Sequence, residues 1–260
     1  MGQGGRLRAD QALVQRGLAR SRSLARRLID DGAVTVRVGS LVEPLDRPSR
    51  LIGDSDVLEV AGSDENRYVS RAGAKLEDVL ESVGVNCRER IALDLGMSTG
   101  GFADCLLARG VRAVVGIEVG HGQLAPSLAD NPRVHCFERT HVGEIDVPAW
   151  LKQQGLAPFD LIVSDLSFIS SLQLLEQVAR FAEVGATLLM LVKPQFELGP
   201  QAARKGGIVD DAAGEALQAS ARERAAAAGW SVLAWHRSRL RGTDGNQEYF
   251  LYARRLPPGA

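Results

Sequence analysis

The stretch LLMLVKPQFE, residues 188–197, constrains the fold more than any other. Five apolar residues, Leu188 to Val192, run without a polar break, so a strand made from them must be covered on both faces. Strands of that kind belong to parallel sheets with helices on either side. Pro194 then removes a ladder donor and ends the strand, which pins Lys193 at its exit. An ammonium at the mouth of a core needs either a partner or a task.

The flanking sequence has the matching rhythm. Strand patterns IALDLG, AVVGIEVG, RVHCFE and FDLIVSDL alternate with helical ones, namely MSTGGFADCLLARG, a helix after His121 and SSLQLLEQVARFAEVG. A helix near Glu215–Gly229 precedes WSVLAWHRS and EYFLYARR, which read as an antiparallel terminal pair. The fold class is therefore α/β, an open, doubly wound, mostly parallel sheet with an antiparallel end. Residues 1–62 have a different grain, that of a small α+β module. Asp10 can cap a first helix that Gly17 ends, and Ser21 caps a second, SRSLARRLID, closed by Gly32. The strands AVTVRV and LIGDSDVLEV follow, with Arg37–Val38 standing where a hairpin turn is expected. The polar segment 63–70 reads as a linker, and 71–256 as the larger domain.

Charge is uneven along the chain. Net charge is −1, yet residues 1–37 hold eight arginines against three acids, which points to a polyanionic partner for that end. Lysine is scarce, with four (Lys75, Lys152, Lys193, Lys205) against 27 arginines. Where such a chain keeps lysine, a group that can give up its proton is the natural reason. Three scattered cysteines and four unclustered histidines show no ligand spacing, so no metal is expected. The sequence shows neither a signal-peptide core nor a membrane-spanning run, so the expected location is the cytoplasm.

DLGMSTGGF lies between a strand and a helix, where glycines let backbone N–H groups approach a ligand. Its candidate contacts are Asp94, Gly96, Ser98, Thr99, Gly100, Gly101 and Phe102. Glu118 ends the next strand about 20 residues on, where an acid can accept ribose hydroxyls. The turn lacks G-x-G-x-x-G spacing, and an acid just before it suits a ligand with a cationic amino group and no pyrophosphate. S-adenosylmethionine fits better than a nicotinamide dinucleotide.

Ligands of doubly wound sheets sit beyond the carboxyl ends of the strands. Asp165 and Lys193 end two strands, Glu248 starts the last, and Lys75 lies in the helix before the first. These four should converge, Asp165 also facing the cofactor. Desolvation and the Lys75 ammonium favour a neutral Lys193 amine, whereas the carboxylates favour its charged form. The expectation is that Lys193 takes a proton.

YVSRAGAKL, DLGMSTGGF, DLIVSDLSFIS, LVKPQFE, KGGIVD and GNQEYF occur in an order that resembles the TlyA (hemolysin A-like) family within the FtsJ-like methyltransferases. DQALVQRGLARSRSLARRLIDDG resembles an S4 RNA-binding domain. The resemblance implies a Rossmann-like class I methyltransferase domain, S-adenosylmethionine as donor, and the 2′-hydroxyl of a ribosomal RNA ribose, a cytidine in this family, as acceptor. It implies a catalytic Lys75–Asp165–Lys193–Glu248 tetrad with Lys193 as base, and ribosomal RNA or subunits as partner. Arg6, Arg8, Arg16, Arg20 and Arg22 match the basic positions of the S4 pattern and are expected to contact phosphates. Arg67 is expected to join them and, with Tyr68, to couple RNA docking to the cofactor site. The competing readings are a non-catalytic ribosome-assembly protein with a methyltransferase shell, and a membrane-active hemolysin.

Overall fold

The computed structural model describes residues 6–19, 21–60, 67–144, 147–155, 158–199 and 207–259. Arg20, residues 63–66 of the expected linker, and Lys205–Gly206 of KGGIVD lie outside the described residues. The chain divides into two compact units, Met1–Arg67 and Tyr68–Ala260.

In the first unit, β1 (Leu7–Arg8) leads into α1 (Ala9–Gln15) and α2 (Arg22–Asp30). The strands are β2 (Val34–Val38), β3 (Leu41–Pro44), β4 (Leu51–Ile52) and β5 (Val57–Val60). β3, β2 and β5 form an antiparallel sheet, and β1 pairs with β4. Leu13, Ala25, Ile29, Val34, Val36 and Ile52 make its core. Ser21 caps α2 by accepting the Leu24 N–H at 3.2 Å. Asp10 is not a cap: α1 begins one residue earlier, with Arg8 at the N-cap, and Asp10 points inward from the first turn. The β2–β3 turn is Gly39–Ser40, not Arg37–Val38. Val38 pairs with Leu41, and Gly39 takes the positive φ (62°) that such a turn requires.

The second unit runs α3 (Arg71–Ser82), β6 (Ile91–Leu95), α4 (Gly101–Ala108), β7 (Ala113–Ile117), α5 (Pro126–Ala129), β8 (Val134–Phe137), α6 (Val147–Gln153) and β9 (Phe159–Ser164). A 3₁₀ turn (Ser171–Leu174), α7 (Leu175–Ala179), β10 (Ala182–Val192), α8 (Pro194–Glu197), α9 (Asp211–Ala227), β11 (Trp230–Arg237) and β12 (Tyr249–Arg255) complete it. The sheet order is β11-β12-β10-β9-β6-β7-β8. β10 through β8 are parallel neighbours, and β12 is antiparallel to both β10 and β11. One apolar layer packs on each face: Leu93, Ile162, Leu188 and Met190 face one, Ala92, Leu161, Leu189 and Leu191 the other. This explains the unbroken apolar run.

Two elements differ from the sequence reading. FAEVG is not helical: after α7 the chain enters β10 at Ala182, because Phe159 and Ala182 are already ladder partners. The helix after His121 is only the four residues of α5.

α3 and α4 approach through glycine. A Cβ on Gly73 would lie 2.4 Å from the Tyr68 Cβ and 2.7 Å from the Gly101 carbonyl oxygen. Gly73→Ala should therefore lower stability by about 1–3 kcal/mol in urea unfolding, despite alanine's better helix propensity. A change smaller than that would mean the helices separate freely.

Candidate functional site

The chain leaves β6, runs to β7 and β8 on one side, then crosses to β9 on the other. The crevice beyond the C-terminal ends of β6 and β9 is the topological switch point of the sheet. Gly96 and Asp165 meet there: the Asp165 N–H donates to the Leu95 carbonyl at 3.0 Å. Gly96 has φ 80°, and a Cβ on it would strike the Asp165 carbonyl oxygen at 2.6 Å. Glycine is needed on both counts.

A cavity of about 530 Å³ opens at this point, with Gly96, Ser98, Glu118, Gln123, His141 and Asp165 in its lining. Glu118 is buried, and its two oxygens accept the N–H groups of Ser98 (2.9 Å) and Gly120 (2.6 Å). Each oxygen keeps a further lone pair for a ligand. Ser98 holds a left-handed φ of 47° and its hydroxyl donates to Gln123 Oε1 at 2.9 Å. Thr99 is tied through its carbonyl to the Ala125 N–H. Gly100, at φ 89°, is the α4 N-cap. Gly101 serves the α3–α4 approach, and Phe102 is a core ring against Phe250.

Asp94 lies beneath the loop, 1% exposed, and neither carboxylate oxygen has an aligned hydrogen-bond partner. Burial pushes its pKa up to about 8, the Asp165 and Glu118 charges adding to the rise against the nearby Ala103 N–H. A buried carboxylate without a partner is costly unless a cation satisfies it.

The four polar residues form two close pairs. Lys193 Nζ is 2.7 Å from Asp165 Oδ1, an ion pair whose aligned hydrogen bond goes instead to Ser167 Oγ at 2.8 Å. Lys75 Nζ donates to Glu248 Oε2 at 2.5 Å. Both lysines and Glu248 are buried. The pairs feel each other: burial raises the Glu248 pKa, Lys75 and then Lys193 lower it, and Asp165 raises it. α3 supplies Lys75 from its second turn, β12 supplies Glu248 from the residue before it, and Pro194 at N1 of α8 halts the strand at Lys193.

Some neighbours carry no mark in the sequence. Glu197 accepts from the Ser170 and Ser171 hydroxyls and from the Leu172 N–H (3.3 Å), which clamps the chain after Asp165 to the chain after Lys193. Phe168 stands 91% exposed at the cavity rim with φ 67°, beside Phe196 at 5.5 Å between ring centres. Repetition of serine around Phe168, and an acid three residues past Pro194, are the only signals that could have drawn attention to them.

In the first unit, fully buried Asp10 gathers the guanidiniums of Arg8 (3.1 Å), Arg22 (2.9 Å) and Arg26 (3.1 Å). Burial raises its pKa, but Arg22, Arg8 and Arg26 outweigh that and bring it down to about 2. The three arginines remain about half exposed, fixed by one carboxylate and able to receive phosphate oxygens with their other N–H groups. Arg16 instead donates to the Gly53 and Asp56 carbonyls, while Arg6 and Arg67 are exposed. Among the described residues, no group of three or more His, Cys, Asp or Glu could hold a metal ion, and no helix is long and apolar enough to cross a membrane.

Comparisons agree with this architecture. A family model described as FtsJ-like methyltransferase matches residues 68–255, and one for the S4 domain matches 7–36. The chain is 41% identical, over 96% of its length and 90% of the relative, to the 16S/23S rRNA (cytidine-2′-O)-methyltransferase TlyA of Mycobacterium tuberculosis. It is 33% identical to Hemolysin A of Brachyspira hyodysenteriae, over 95% of this chain and 99% of that one. A solved structure titled "Putative hemolysin from Streptococcus thermophilus" superposes with a TM-score of 0.72 at 30% identity, covering 96% of this chain and 89% of that one.

Proposed function

The chain belongs to the TlyA family of FtsJ-like methyltransferases, and on that premise we propose that it methylates the 2′-hydroxyl of a ribosomal RNA ribose, a cytidine, using S-adenosylmethionine. The observation that carries this reading is the pairing of Lys193 with Asp165 at 2.7 Å and of Lys75 with Glu248 at 2.5 Å, two pairs close enough for Lys193 and Asp165 to shift the Glu248 carboxyl. Ribosomal subunits in the cytoplasm are the proposed partner.

The residues present fit the donor. Asp94 is a buried carboxyl with no aligned hydrogen-bond partner, suited to a cationic amino group, and Glu118 retains acceptor capacity for ribose hydroxyls. Gly96 and Ser98 would hold the same molecule through the loop. Bound there, S-adenosylmethionine supplies an electrophilic methyl group.

The protein's own part is positioning and proton removal. Lys193 takes the 2′-hydroxyl proton as that oxygen is methylated, and Asp165, 2.7 Å from its Nζ, faces the resulting ammonium. Ser167 Oγ fixes the Nζ direction. Lys75 and Glu248 neutralise one another and act as positioning residues for the acceptor side of the site. The arginines on Asp10 grip phosphates and orient the substrate.

The direct test is ribose-methylation mapping by mass spectrometry of rRNA from cells with and without the gene, followed by methylation of isolated subunits. If no ribose position depends on the gene, the reading fails. A membrane-lytic action is suggested by the names of two similar proteins alone; among the described residues no helix is long and apolar enough to cross a membrane, and purified protein should leave liposomes sealed.

Asp94 also sets a pH dependence. In the ligand-free protein its carboxyl stays protonated below about 8, whereas a cationic amino group requires the carboxylate. Donor binding should therefore release a proton below that pH, and affinity should rise with pH up to about 8, above which the donor's own amino group begins to lose the charge that Asp94 would meet. Calorimetry in buffers of different ionisation enthalpy measures this. Affinity independent of pH between about 6 and 9 would assign the cation elsewhere.

A further inference from the structure

The edge of the sheet opposite the crevice carries a second concave surface. The loops entering β6, β7 and β8 bring Arg88, Arg109, Arg112 and Arg133 around a depression of about 560 Å³, with Glu89 as the one acid in its lining. Arg109 is committed to Glu77 and Glu81. Arg88, Arg112 and Arg133 are exposed, and none has an ion pair among the described residues.

The arrangement is built rather than incidental. The Glu89 N–H donates to the Gly110 carbonyl at 2.9 Å and the Arg112 N–H to the Arg90 carbonyl at 2.8 Å, which stitches the first two loops together. The Val114 N–H donates to the Arg133 carbonyl at 2.8 Å and ties in the third. Arg88 and Arg133 each follow an asparagine two residues back, Asn86 and Asn131, whose side-chain oxygen accepts their N–H at 3.0 Å. Glu89 is held at φ 62°, a conformation uncommon for a non-glycine residue. Three guanidiniums lacking carboxylates are thus presented on a fixed frame by a chain whose net charge is −1.

From this we propose that the Arg88–Arg112–Arg133 edge is a second RNA surface, binding the sugar–phosphate backbone of the large RNA substrate at a point remote from the methylated ribose. It rests on the reading of the chain as an rRNA methyltransferase. β6 has five residues, so this edge is about 17 Å from the crevice and cannot touch the reacting nucleotide. Guanidiniums suit phosphate oxygens, and contacts made to phosphates position RNA without selecting sequence.

The test compares the intact protein with Arg88→Gln/Arg112→Gln/Arg133→Gln, titrated against protein-free ribosomal RNA over a salt series. Loss of three phosphate contacts should make the slope of log affinity against log salt shallower by about 2. Affinity at low salt should fall, while calorimetric donor affinity and the unfolding midpoint stay unchanged. An unaltered slope overturns the proposal, as it would if the edge served an acidic protein instead. If the triple variant unfolds earlier, the single variants decide: each lowers the slope by just under about 1, or the proposal is wrong. Methyl transfer to subunits by the unmodified protein, measured in parallel, tests the underlying reading separately.

Discussion

Lys193→Ala is expected to lower the single-turnover rate of methyl transfer by about 10²–10⁴-fold while donor and RNA affinities change little. The amine lies at the strand exit, 2.7 Å from Asp165 and hydrogen-bonded to Ser167, so its loss removes the proton acceptor and leaves the loop carrying Gly96 and Ser98 intact. Lys193→Arg should not restore the rate. Arginine keeps its proton at any working pH, and its planar fork does not fit the position of a compact ammonium. Single-turnover assays at saturating RNA isolate the chemical step. A rate within about fivefold of the unmodified protein for either variant would show that Lys193 is not the base and that alignment alone accounts for catalysis.

The second large effect is on folding. Lys75 and Glu248 have side chains only 10% and 3% exposed, joined at 2.5 Å. Lys75→Ala should cost roughly 3–5 kcal/mol in urea unfolding, because it strands a buried carboxylate. Glu248 already has a pKa raised by burial, and without Lys75 it rises further. The sign follows: the folded state of the variant binds a proton that the unfolded state has released, so the penalty grows as pH rises above the ordinary carboxylate range and is full only above the raised folded value. It shrinks as pH falls toward the ordinary carboxylate range. Lys75→Met/Glu248→Leu, which removes both charges, should regain most of the stability and none of the activity. Midpoints at constant slope give the comparison. If the double variant is as unstable as Lys75→Ala, the lost stability belongs to packing and not to the stranded charge.

Much of the fold and of the site is legible in the order of residues alone. An apolar run covered on both faces, Leu188–Val192, admits few folds, and its abrupt stop at Lys193–Pro194 marks a sheet edge by covalent geometry. Glycines at 96 and 100 likewise announce a turn with positive φ. Local rules are less dependable where longer-range contacts compete. FAEVG has helical composition, yet Ala182 pairs with Phe159, and a ladder to a buried neighbour overrides propensity. Asp10 resembles a cap because caps are local. Its place beneath Arg8, Arg22 and Arg26 depends on two helices meeting, which periodicity does not encode.

By itself, then, the sequence determined the alternation of strand and helix, the stop after Val192 and the candidate residues of the site, because these follow from side-chain period, proline and glycine within a few positions of one another. Only the tertiary structure decided which lysine faces which acid, that Asp94 lacks an aligned hydrogen-bond partner, and that three arginines from separate loops share one edge. Those facts join residues up to 173 positions apart, and such distances close only when buried surface and ladder pairing bring the strands together.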